Sequence, residues 1–389
     1  MFIARTLANT LLRYASMFPV VAIVGPRQSG KTTLAQETFP GHRYFSLENP
    51  DTLALVRADP RGFLEKEYGS GIIIDEFHNE PHILSYMQGI IDANRRPGYF
   101  ILTGSHNFLM NQAISQSLAG RVGLLTLLPL ANNELRANNV LDNDIDTATF
   151  KGGYPDIFAR AIPPADFYQQ YTKTYVERDV RQLINITSLS DFQRFMRLCA
   201  GRIGQILNVS SLADDCGISV PTVKAWLSVL EASYIIFQLQ PHFNNFSKRL
   251  IKSPKLYFYD TGLACWLLKI TSPEQLNEHY LRGGLAESFI ITEIFKAFYN
   301  KGKEPSIYFW RDSHGHEIDC LLDYGTRLVP IEIKSGKTLH PRLFNGLHYW
   351  CDLAGVDYEK SYLIYGGTEN DVGSHGTVVS WQKAGTIVD

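Results

Sequence analysis

Three groups of residues have the types and spacing for phosphate chemistry. "GPRQSGKT", Gly25 to Thr32, reads G-x-x-x-x-G-K-[ST]. Gly25 and Gly30 let the backbone of Pro26, Arg27, Gln28 and Ser29 wrap an anion with its N–H groups, and Lys31 reaches the terminal phosphates. Thr32 and Thr33 open the next helix, with the Thr32 hydroxyl placed to help hold Mg²⁺. "GIIIDE" carries Asp75, suited to the metal, and Glu76, suited to orienting or deprotonating an attacking water. Far downstream, Glu287, Asp319 and Glu332 offer an all-oxygen Mg²⁺ site, with Lys334 to position or activate water.

These groups need rigid supports. "FPVVAIVG" is a continuous apolar run ending at Gly25, as expected of a strand buried on both faces of a parallel sheet, and "TTLAQETF" reads as the helix that follows. "GYFILTGS" is a third strand, whose polar tail, Thr103 and Ser105, would sense a γ-phosphate beside the Asp75 strand. "HNFLMNQAISQSLAG" can form a helix ending at Gly120, and Arg121 precedes "VGLLTLLPL". An Arg there could stabilise transition-state charge, in cis or on a neighbouring subunit; equally it could satisfy helix-end carbonyls.

The polar stretch "NNVLDNDIDTATF" (138–150) reads as a linker. Two amphipathic helices follow, carrying Arg178, Arg181, Arg194, Arg197 and Arg202, which a solvated, ion-paired face explains better than a DNA track. In "VSSLADDCGISVPTVKAWLSVLEASYII", Gly217 supplies a turn, Ser219 a cap, and Val223, Leu227 and Leu230 a buried stripe. With the strands "YIIFQLQ" and "KLYFYD" this predicts a winged helix. Its wing would carry Lys248, Arg249, Lys252 and Lys255, and Lys224 would lie on the outward face, as phosphate contacts. "GGLAESFIITEIFKAFYNKG" has helical spacing, and "SIYFWRD" and "HEIDCLLDYGTRLVPIEIKSG" supply three strands. Glu332 and Lys334, two apart in a strand, face the same side. His314, His316 and His375 are expected at the surface.

The order of glycine loop, "DE" strand, polar-tailed strand, helix, Arg and strand resembles the AAA+ superfamily over about residues 15 to 135. "GPRQSGKTTL", "IIIDEFHNEP", "FILTGS", "LAGRV", "KGGYPDIF" and "SPKLYFYDTGL" look more narrowly like a bacterial and archaeal ATPase family with a C-terminal domain of unknown function 4143. Helix Glu, strand Asp and then E-x-K resembles the PD-(D/E)XK nucleases, which implies Mg²⁺-dependent cutting of DNA phosphodiesters or a binding module of that fold.

Composition limits the alternatives. With 37 Lys plus Arg against 39 Asp plus Glu, the whole chain lacks a nucleic-acid binder's basic excess, so such a role needs local patches. Five scattered cysteines without a C-x-x-C pair argue against a disulfide framework or structural zinc and for a reducing cytoplasm. No 18-residue apolar run predicts a membrane span. The expected fold is α/β: an AAA+-like P-loop core with a parallel sheet (1–137), a helical and winged-helix middle (138–270) and a PD-(D/E)XK-like α/β domain (271–389). The expected function is Mg²⁺-dependent ATP binding and hydrolysis, coupled to DNA binding or processing, by a cytoplasmic protein able to self-associate. The alternative is a nucleotide-switched regulatory or adaptor ATPase whose later domains only bind partners.

Overall fold

A computed structural model describes residues 2–66, 69–105, 117–176, 188–242 and 252–388. The chain divides into two compact units: Met1–Leu130 with Ala232–Tyr234 and Phe298–Lys303, and the remainder.

The first unit is built on five parallel strands in the order β2-β3-β4-β1-β5, namely β1 (Val20–Gly25), β2 (Arg43–Ser46), β3 (Ile72–Asp75), β4 (Phe100–Ser105) and β5 (Val122–Thr126). Every residue of β1 is buried, and the two-residue period of a strand divides its side chains between two cores. Val20, Ala22 and Val24 join Ile72, Ile74 and Phe100 on one side, with Met87 of α5 (Ile83–Ala93). Val21 and Ile23 join Leu7 and Leu11 of α1 (Leu7–Ala15) and Leu34 of α2 (Lys31–Thr38) on the other. Two short helices, α3 (Pro50–Ala58) and α4 (Pro60–Glu65), complete the first side. Helices on both faces explain why these strands read as unbroken apolar runs.

The second unit opens with α6 (Asn132–Ala137), α7 (Ile145–Lys151), α8 (Pro155–Ala159) and α9 (Pro164–Tyr171). The expected linker at 138–150 therefore contains a helix. Asp144 caps it, accepting from Thr147 N at 3.0 Å, and Ile145 and Ala148 are buried. The amphipathic run after Pro164 leaves α-helical geometry at Thr172–Val176, a single π-helical turn. Arg178 and Arg181, and most of the expected helix before Gly120, lie outside the described residues.

Three helices and a hairpin then form the winged-helix arrangement: α10 (Leu189–Ala200), α11 (Val209–Cys216), α12 (Val220–Ala232), and antiparallel β6 (Ile236–Leu239) and β7 (Lys255–Phe258). Gly217 ends α11 at φ 70°, Ser219 accepts from Thr222 N at 3.2 Å, and Val223, Leu227 and Leu230 are buried as expected. Next come α13 (Thr261–Leu267), α14 (Pro273–Glu278) and α15 (Arg282–Asn300).

A six-stranded mixed sheet ends the chain. β8 (Ile307–Arg311), β9 (Glu317–Asp323) and β10 (Leu328–Lys334) form an antiparallel meander; α16 (Asn345–Ala354) crosses over to β11 (Tyr362–Tyr365), which lies parallel to β10. β12 (Asp371–Gly373) and β13 (Gly376–Ser380) complete the order β12-β13-β11-β10-β9-β8. Trp310, Leu321, Leu347, Trp350 and Leu363 fill the core between this sheet and α16. Among the described residues, no helix is long and apolar enough to cross a membrane.

Candidate functional site

The first centre lies where β1 gives way to α2. Gly25 has φ 148°, and a Cβ there would sit 2.2 Å from the Leu127 carbonyl oxygen, so the close approach of β1 to the chain beyond β5 excludes any side chain. Gln28 and Gly30 are also left-handed, at φ 58° and 91°, which curls the loop into α2. Inside it the Lys31 ammonium donates to the carbonyls of Gly25 (3.2 Å) and Pro26 (2.7 Å). Arg27 is buried near Glu48 (3.8 Å), Thr33 is exposed, and Ser105 ends β4 with its side chain outside the described atoms.

Asp75 is the hub beside this loop. Its Oδ1 accepts from Thr32 Oγ1 at 2.9 Å and from Thr103 Oγ1, and its Oδ2 accepts from Tyr44 Oη at 2.8 Å. The register puts Thr103 directly across from Asp75, as its expected place beside that strand requires. Burial and the neighbouring Asp75 push the Tyr44 hydroxyl's pKa well up, so Tyr44 stays a donor. Glu76 takes a left-handed conformation (φ 52°, ψ 45°), a costly one for a non-glycine residue, and its Oε2 lies 3.0 Å from His78 Nδ1.

Two further observations bear on what the loop holds. Ser29 is fully buried, yet its Oγ has no hydrogen-bond partner among the described residues. Arg5 is buried too, donating to Ser29 O and to Leu128 O, both at 2.6 Å, and so ties the loop to the end of β5. A glycine-walled anion cradle beside hydroxyl and carboxylate oxygens suits a Mg²⁺-nucleotide. Arg5 and Tyr44 were not foreseen: their targets are two backbone carbonyls and a distant carboxylate, which no local pattern marks.

Arg121 takes the second of its two expected places, its Nη1 donating to the Ala119 carbonyl at 3.0 Å just before Gly120. Its carbonyl accepts from Val20 N, at the start of β1, whereas the phosphate loop leaves the other end. Five steps of strand separate the two ends by roughly 17 Å. Its guanidinium holds both carboxylate oxygens of Asp92 at 2.7 Å, so a role in cis at the loop is ruled out by distance.

The second centre is a partly buried group of carboxylates. Asp319 on β9 and Glu332 and Lys334 on β10 come together with Glu287 of α15, as the sequence predicted. Lys334 Nζ lies 2.5 Å from Glu332 Oε1 and 4.0 Å from Asp319 Oδ2, which also accepts from Ile333 N at 2.8 Å. Carboxylate oxygens of Glu287, Glu317 and Asp319 all lie within 4.8 Å of one another. Glu317 went unnoticed, although it stands two residues before Asp319 on the same face of β9.

Lys255 corrects the expected basic wing. It is the first residue of β7, 3% exposed, and its ammonium reaches Glu287 Oε1 at 2.9 Å and also Glu317. Tyr257, on the same face, donates to Glu287. Of the other wing cations, Lys252 is exposed, as is Lys224 on α12, while Lys248 and Arg249 lie outside the described residues. Burial pushes Glu287 up to about 7 against the pull of Lys255, and Glu332 up to about 8 with Asp319 adding to the effect. Burial also disfavours the charged Lys255, but Glu287, Asp319 and Glu317 outweigh it and hold its pKa high. Glu332 Oε2 is buried without a hydrogen-bond partner among the described residues. The oxygen-only donor set fits a hard divalent ion, with Lys255 already supplying one positive charge there. His314, His316 and His375 are exposed, the first two beside Asp312.

Known proteins resemble the chain in three consecutive stretches. Residues 17–136 match an AAA domain, 142–274 a domain of unknown function (DUF8612), and 282–383 a domain of unknown function (DUF4143). "Uncharacterized protein Mb2031c" of Mycobacterium bovis and "Uncharacterized protein Rv2008c" of Mycobacterium tuberculosis are each 31% identical over 340 residues, 86% of this chain and 74% of theirs. The chain belongs to their family. Its first unit is an AAA-type ATPase domain that binds nucleotide, and the expected AAA and DUF4143 parts are both present. Among solved structures, the Walker-type ATPase PABY2304 of Pyrococcus abyssi is 15% identical, with TM-score 0.46, covering 68% of this chain and 96% of its own. A point variant of RuvB from Thermotoga maritima is 18% identical, with TM-score 0.33, covering 61% and 90%.

Proposed function

We propose that the chain couples Mg²⁺-dependent ATP hydrolysis to the binding or processing of DNA in the cytoplasm, and that the second unit carries a metal-dependent phosphodiester-cleaving centre. The observation that carries the ATP half is the Thr32–Asp75 hydrogen bond at 2.9 Å beside the glycine loop. In this reading Gly25 to Thr33 and Lys31 hold the phosphates, Thr32 and Asp75 position the metal through their oxygens, Thr103 and Tyr44 orient Asp75, and Glu76 orients water. Bound Mg²⁺ supplies charge neutralisation and polarises the phosphoryl oxygens.

The DNA half is supported by the gathering of Glu287, Asp319, Glu332 and Lys334 on one helix and two strands of the meander, and by the exposed Lys224 and Lys252. Lys334 would then position the attacking water beside Glu332.

One observation favours the alternative, a nucleotide-switched adaptor: Lys255 already pairs with both Glu287 and Glu317, as a structural ion-pair network would. The deciding experiment measures ATPase activity and cleavage on single-stranded, duplex and branched DNA with Mg²⁺ or Mn²⁺, beside Lys31→Ala and Lys334→Ala. DNA-stimulated turnover, with cutting lost in Lys334→Ala, supports the first reading. Turnover indifferent to DNA, with neither cutting nor binding at low salt, leaves the adaptor.

A further inference from the structure

We propose that the helical part of the second unit binds a small amphipathic anion, in a cavity that neither phosphate-chemistry centre uses. The cavity holds about 410 Å³ and is lined by α9, the π-helical turn after it, α10, and α13 with the chain that follows. That volume lies within the roughly 300–1,000 Å³ of small-molecule sites. Phe150, Met196, Trp266, Leu267 and Ile270 make its lining largely apolar.

The polar groups there are unusual in kind. Thr172 is 2% exposed and lines the cavity, yet its Oγ1 has no hydrogen-bond partner among the described residues. A buried, unsatisfied hydroxyl is unfavourable unless something else bonds to it. Thr172 also begins the π-helical turn, a local irregularity that tends to occur at functional sites. Lys173, Arg197 and Lys269 are exposed lining residues, while no acidic residue lines the cavity among the described ones. Arg197 donates Nε to Gln193 O at 3.3 Å, and none of the three cations has a carboxylate partner among the described residues. Lys269 is held at φ 61°, a left-handed geometry that a non-glycine residue adopts at some cost.

An apolar chamber with an orphan hydroxyl and three cations, with no acid lining it among the described residues, is complementary to one ligand chemistry: an apolar body with a single anionic head. Cations set at an apolar mouth bind the head, and the buried walls take the body.

The test uses the full chain and decanoate as probe, with decanol as the neutral analogue and acetate as the head alone, read by calorimetry and tryptophan fluorescence. Decanoate is expected to bind saturably, decanol roughly tenfold more weakly or worse, and acetate not at all. Arg197→Ala combined with Lys269→Ala should reduce decanoate to the level of decanol, and Met196→Trp should fill the chamber and abolish both. Ala165→Trp, on the exposed rim, blocks the mouth without altering the core should Met196→Trp fail to fold. Equal affinity for decanoate and decanol, binding untouched by both tryptophan variants, or no saturable binding would overturn the proposal.

Discussion

Thr32 Oγ1 and Asp75 Oδ1 lie 2.9 Å apart although 43 positions separate them in the chain. Parallel β1 and β3 flank β4, and that order delivers the first residue pair of α2 and the last residue of β3 to the same edge. The hydrogen bond ties the start of α2, just after the glycine loop, to the strand that ends in Asp75.

Asp75→Asn should therefore leave nucleotide binding within a small factor while lowering turnover roughly 100-fold. Glu76→Gln should likewise keep nucleotide bound and abolish hydrolysis, whereas Lys31→Ala should lose binding. Fluorescent-nucleotide titration and phosphate release separate the three. Near-normal turnover in Asp75→Asn would remove Asp75 from the metal's shell.

Arg5→Ala deletes two buried, charge-assisted hydrogen bonds to backbone carbonyls. A loss of about 2–4 kcal/mol in unfolding free energy is expected, with a raised KM for ATP and a much smaller change in kcat. Denaturant melts with and without saturating ADP measure this, and ligand should recover part of the loss.

Arg121→Ala should not change the single-turnover rate of dilute protein, because its guanidinium is bound to Asp92 far from the loop. A rate that falls in this variant at high protein concentration, and returns on mixing with Lys31→Ala, would instead mark Arg121 as acting on a neighbouring subunit.

The carboxylates of the second unit give a pH signature. Glu287 and Glu332 have folded pKa values near 7 and 8, above the ordinary 4.5, because burial penalises their charged forms. The folded state thus binds more protons than the unfolded state between about pH 4.5 and 8, and its stability falls as pH rises through that window. Thermal melts across it, without divalent ions, should show this decline, and Glu332→Gln should flatten it.

Lys255→Met leaves Glu287 and Glu317 without their buried cation, and removing one partner of such a group costs about 3–5 kcal/mol. Mn²⁺ should recover much of that loss by replacing the missing charge. Lys252→Ala, on the exposed wing, should cost nothing measurable in the same melts. A Lys255→Met protein as stable as the parent would show that the cluster does not depend on this ammonium.

What was legible in the sequence follows from how local each signal is. The glycine loop is eight consecutive residues whose spacing is its geometry, so Gly25 to Thr32 could be read directly. The strand period likewise gave Glu332 with Lys334, and placed Asp319 beside them. Lys255 was misread because it closes a run of cations, so it was counted with the wing although it also opens the strand "KLYFYD". Its partners, Glu287 and Glu317, are 32 and 62 positions away, and no local pattern marks them. Arg5 and Tyr44 were invisible because they act through contacts 24, 123 and 31 positions away. Helix α7 was lost in a polar stretch because Asn and Asp mark turns and helix caps alike, and here Asp144 is a cap.

The two carbonyls held by Arg5 belong to Ser29 and Leu128, and β1 is flanked by β4 and β5, both made long after it. A nascent chain emerging from the ribosome therefore carries every residue of the phosphate loop early, without the neighbours that give the loop its shape. The Arg5 tether between the loop and Leu128 therefore cannot form until the chain beyond β5 has been made.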